Sequence, residues 1–110
     1  MIEGIFEEIM QDIINIYDEE VSGYSISEEV KDNALSFIKF MTIKGLNKIN
    51  DIYPNPNETI SFVFDCGSNL EIGEQTMSYY IKRTPSIYMN QKEINYDEIN
   101  IFNEYIFKNK

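Results

Sequence analysis

Ile2, Ile5, Phe6, Ile9, Met10, Ile13, Ile16 and Tyr17 recur at the three- and four-residue spacing of one helix face. Glu3, Glu7, Glu8, Gln11, Asp12, Asn15 and Asp18 fall between them, which predicts an amphipathic helix over 2–18. A second helical pattern runs through Val30, Ala34, Leu35, Phe37, Ile38, Met41, Leu46 and Ile49. Ser25 with Glu28 has capping-box spacing ahead of it, so a helix is expected over 26–50, with Gly45 placed to bend it or end it early. Tyr53-Pro54-Asn55-Pro56-Asn57 stops any helix, because proline lacks the N–H donor and disfavours helical geometry in the residue before it.

Beyond that boundary the period changes to two. Ile60, Phe62 and Phe64 alternate with Ser61, Val63 and Asp65 over 59–66; Leu70 and Ile72 continue over 69–72; Met77, Tyr79 and Ile81 follow over 76–83. Turns at 66–69 and 73–75, each with a glycine, join these runs into an antiparallel meander of three strands, with a short fourth at 86–89. Asn95 and Glu98 then mark the start of a last helix over 96–107, whose inward stripe is Ile99, Phe102 and Ile106. The expected fold is α+β: two N-terminal helices, a three- to four-stranded antiparallel meander and a C-terminal helix. At 110 residues it is expected to be a single domain.

Charge sharpens this picture. Residues 1–29 hold nine acids and no base, while the remainder is close to neutral, so nearly all of the net charge of −10 sits at one end. Nucleic acid and anionic membrane would be repelled by such a region, and a basic protein surface attracted to it. An acidic helix face kept only for solvation is the plainer reading. Asp18, Glu19 and Glu20 oppose the dipole at the end of the first helix, a misfit that either a cationic partner or an early helix end at a turn over 21–24 would resolve.

The chemistry available is limited. The absence of histidine and the presence of one cysteine exclude the Ser/His/Asp and Cys/His arrangements and an ordinary zinc site of nitrogen and sulfur ligands. Cys66 at a hairpin mouth reads as a small packed residue. Asp65, Glu71 and Glu74 are the acids that a hard cation would need, but no acid-x-lysine signature accompanies them. Gly67 and Gly73 stand outside any phosphate-cradling loop. No catalysis and no cofactor is therefore expected. The lone cysteine and the lack of a leader or an apolar span suggest a cytoplasmic protein. Among eight tyrosines, Tyr79 and Tyr80 must point to opposite faces of a strand, and Tyr80, Tyr88, Tyr96 and Tyr105 are candidates for an aromatic recognition surface.

Tyr53-Pro54-Asn55-Pro56-Asn57-Glu58-Thr59-Ile60-Ser61-Phe62, then Asn69-Leu70-Glu71-Ile72-Gly73 and Met77-Ser78-Tyr79-Tyr80-Ile81, resembles small bacterial and phage proteins of antitoxin-like or unassigned function. Those proteins share a Pro-x-Pro lead into a meander and a Leu-Glu-Ile strand, and the resemblance implies no catalytic residue. The expected function is that of a stoichiometric protein inhibitor, an antitoxin, immunity or phage anti-defence protein. It would cover a basic surface of a target such as a nuclease or another nucleic-acid-binding protein, without touching nucleic acid or membrane itself. Glu3, Glu7, Glu8, Asp12, Asp18, Glu19, Glu20 and Tyr80 are the candidate partner-binding residues. The alternative is a structural or accessory subunit that self-associates, as a homodimer for example, through exposed apolar and tyrosine surfaces.

Overall fold

Ile9, Ile13 and Ile16 form the inward stripe that the spacing predicts, and all three are buried in the computed structural model. The structure describes residues 2–41, 43–82 and 86–94. The first helix, α1, spans Ile2–Tyr17. Asp18 then leaves helical geometry and becomes the N-cap of a four-residue helix, α2 (Glu19–Ser22), its carboxylate accepting from the Glu20 N–H at 3.1 Å. Gly23 ends α2 in the left-handed conformation at φ 79°. The acids that seemed misplaced at the end of one helix therefore stand at the start of another, where carboxylates satisfy unpaired N–H groups.

Helix α3 covers Glu28–Phe40. Its N-cap is Ser27, whose hydroxyl accepts from the Val30 N–H at 3.3 Å, and not the expected Ser25. It buries Val30, Ala34, Phe37 and Ile38. The expected continuation to residue 50 does not occur: Met41 turns extended, a short helix α4 takes up Ile43–Leu46, and Ile49–Pro54 is a strand, β1. A helix over 26–50 would be about 37 Å long, against about 20 Å for a six-residue strand, so it would overrun the sheet. Breaking at Met41 lets both Met41 and Leu46 reach the core, and both are buried.

The meander has five strands, two more than the minimum expected. They are β1, β2 (Ile60–Phe64), β3 (Asn69–Ile72), β4 (Thr76–Ile81) and β5 (Ile87–Glu93), in sequence order and all antiparallel. The short strand expected at 86–89 is thus longer and pairs with β4 on both sides of an irregularity between Met77 and Tyr79. Register places Ile52, Phe62, Leu70 and Tyr79 across from one another. With Ile60, Phe64, Ile72, Met77 and Ile81 they form the face turned to the helices, on which α3 lies over β2 and β3 and α1 lies beside β1. The helix expected over 96–107 lies outside the described residues.

Two polar ties fix the turns to this frame. The Asn33 carboxamide on α3 donates to the carbonyls of Gly73 (3.0 Å) and Glu74 (2.8 Å), holding the β3–β4 turn against the helix. Ser68, fully buried, accepts from the Lys82 N–H at 2.9 Å and so joins the β2–β3 turn to the end of β4. Gly67 is needed there, since its φ is 93° and a Cβ would sit 2.9 Å from the Lys82 side chain.

Candidate functional site

Helix α1 and strand β1 do not close against each other along their whole length. Between them runs a groove of about 450 Å³. Its floor is apolar, with Ile9, Ile16 and Leu46 all buried, and Ile5, Ile49 and Ile52 alongside. Glu8 and Asp12, one helical turn apart, project from α1, and Asp51 projects from β1. Asn15, Asn47 and Asn50 complete the rim, and among the described residues no lysine or arginine lines the groove.

The strand wall has an unusual hydrogen-bonding face. The Asn55 N–H donates to the Thr59 carbonyl at 2.8 Å, so the pair next to it, Pro54 with Ile60, is a non-hydrogen-bonded one, and so is Ile52 with Phe62. The backbone groups of Ile52 and Pro54 therefore face the free edge of the sheet. Asp51 Oδ1 accepts the Ile52 N–H at 2.9 Å, and Pro54 has no N–H to offer. Together with a bulge between Ile49 and Asp51, these features leave Ile52 and Pro54 with carbonyl acceptors but no free backbone N–H on this edge.

The sequence-predicted site residues are divided among several places. Glu8 and Asp12 meet at the groove, while Glu7 lies exposed on the outer side of α1. Glu3 belongs to the first turn of α1, and its side chain lies outside the described positions. Asp18 and Glu19 border a second cleft with Ile14, Tyr17 and Ile26, and Glu20 occupies the first turn of α2. Asp18 has a structural duty as a cap, so its presence needs no partner. Among the described residues the one ion pair is Lys31 with Asp32, 3.5 Å apart, and Glu7, Glu8 and Asp12 have no cation of their own.

Tyr80 is separated from all of these acids by the sheet. Its register partner is Tyr88, and the two side chains lie on the face turned away from the helices. Tyr80 is half-buried, Tyr88 is 67% exposed, and Tyr79 packs against the core, as strand alternation requires. Tyr96 and Tyr105 fall outside the described residues. The acids weighed as a cation site do not assemble: Asp65 is in the β2–β3 turn and Glu74 in the β3–β4 turn, at opposite ends of the strands. Glu71 instead accepts from the Thr59 hydroxyl and from Asn57 Nδ2 at 3.0 Å.

Asp51 and the three asparagines were not singled out by the sequence. The run Ile49-Asn50-Asp51-Ile52-Tyr53-Pro54 carried a strand-like signal, with two β-branched residues and a tyrosine ahead of proline, but the helical pattern ending at Ile49 overlaid it. No helix among the described residues is long and apolar enough to cross a membrane. Comparison with protein-family models, with curated proteins and with solved structures returned no match for this chain.

Proposed function

We propose that the protein is a stoichiometric inhibitor, of the antitoxin, immunity or anti-defence kind, that sets the acidic side of α1 against a basic surface of a target protein. The observation that carries the reading is the position of Glu7, Glu8 and Asp12, which are exposed on one 16-residue helix and have no ion-pair partner among the described residues. Carboxylates repeated along a rigid helix act as a row of negative charge. They steer a cationic surface toward them and compete with the phosphates that it would otherwise bind.

The test is capture of the target on the immobilised protein at low and high salt, followed by inhibition assays on what is captured. Association should slow as the Debye length shrinks from about 10 Å at 0.1 M to about 3 Å at 1 M. The Glu7→Lys/Glu8→Lys/Asp12→Lys variant should stay folded and lose inhibition. A folded triple variant that inhibits at wild-type strength removes this reading.

A second reading, a self-associating accessory subunit, draws on the corner between α1 and α2. Val21 is 65% exposed there, and Ile14 and Tyr24 are each 39% exposed. If that corner is an interface between copies, sedimentation will show a dimer that Val21→Asp with Tyr24→Ser dissolves and charge reversal on α1 does not.

A further inference from the structure

We infer that the groove between α1 and β1 receives lysine or arginine side chains presented by a segment of the partner protein. This deepens the acidic-face reading and rests on it. The groove is matched to the two parts of such a side chain. Half-buried Ile5, Ile49 and Ile52 offer apolar surface to an aliphatic stem, and Glu8, Asp12 and Asp51 at the rim suit a cationic head. At about 450 Å³ it has room for more than one side chain.

The strand wall narrows the choice of occupant. A β-strand added to this edge would need donors as well as acceptors from β1. Ile52, in the wall, offers no N–H because Asp51 holds it, and Pro54, just beyond the groove, has none to offer. What the wall does offer a cation is carbonyl oxygens and the Asp51 carboxylate, which can accept more than one hydrogen bond, beside the carboxamides of Asn47 and Asn50. Ammonium and guanidinium groups are donors without acceptors, so they fit this wall where a strand does not.

The experiment is titration of the full ¹⁵N-labelled chain with amidated hexa-arginine and hexalysine peptides, with hexaglutamate and a neutral Thr-Val hexapeptide as controls. Amide shifts from the cationic peptides should cluster at Ile5, Ile9, Ile16, Leu46 and Ile52. Two variants sharpen the result. Glu8→Gln/Asp12→Asn/Asp51→Asn removes the rim charges, and Asn15→Lys puts a cation into the groove from an exposed helix position. Each should weaken binding by about tenfold or more, the sum of a few exposed ion pairs. Shifts spread evenly over Glu19, Glu20, Glu28 and Glu29, or wild-type affinity in both variants, would overturn the inference. So would preferential binding of the Thr-Val peptide along β1. Failure here is separable from failure of the inhibitor reading. Target capture that is lost with Glu7→Lys but kept with Asn15→Lys would retain the acidic face and remove the groove. Cationic peptides seated in the groove of a chain that inhibits nothing would do the reverse.

Discussion

Phe37 of α3 and Phe62 of β2 meet with their ring centroids 4.8 Å apart and their planes inclined by 55°, and both side chains are fully buried. This tilted contact seats the helical layer on the sheet, and its geometry is one that aromatic quadrupoles favour. Phe62→Ala should cost about 3–5 kcal/mol, because the cavity would lie between two layers that cannot both collapse into it. Urea denaturation followed by circular dichroism will measure the loss, and a cost under about 1 kcal/mol would show that the layers reseat freely.

Asn33 supplies both amide protons to carbonyls of the β3–β4 turn. Asn33→Ala should cost about 1 kcal/mol, and Asn33→Asp should cost more, since a carboxylate would face two carbonyl oxygens with no proton to give them. Equal stability of the Asp and Ala variants would mean that the turn moves away and hydrates at no cost.

Glu58 adopts φ 65° in the loop between β1 and β2, closing a turn in which its N–H donates to the Asn55 carbonyl at 3.0 Å. Left-handed geometry costs a residue with a Cβ about 1–2 kcal/mol. Glu58→Gly or Glu58→Asn should therefore raise stability by about 0.5–1 kcal/mol, with asparagine keeping more of the unfolded chain's restriction. The gain is readable as a higher urea midpoint at unchanged slope, and a drop in midpoint would point to a role for the carboxylate that the loop geometry does not reveal.

The donor-free stretch of β1 predicts the behaviour of the edge itself. Restoring its N–H groups with Asp51→Ala and Pro54→Thr should give a chain that associates through β1 more strongly than the wild type. Sedimentation velocity over a range of concentrations will detect this. If the double variant and the wild type sediment alike, the bulge alone guards the edge.

Local pattern was enough to reveal much of this architecture. The period of 3.6 placed α1 and its buried Ile9, Ile13 and Ile16, and the period of two placed Ile60, Phe62, Phe64, Leu70, Ile72, Met77 and Ile81 in the core. Both periods arise within a single element, from the geometry of its own backbone, and so they can be read one segment at a time. Tertiary structure alone decided that residues 49–54 join a sheet. Ile49 fits a helical stripe and a strand equally well, and only pairing with β2, which lies beyond a proline turn, selects between them. The same long-range choice carries Asp51 across from Glu8 and Asp12, and so creates a groove from segments some forty residues apart. It also puts Tyr80 on the opposite side of the sheet from the acids with which charge and composition had grouped it. Charge along a chain reports how many carboxylates there are, but their division between a cap, an exposed helix face and a groove depends on how the layers pack.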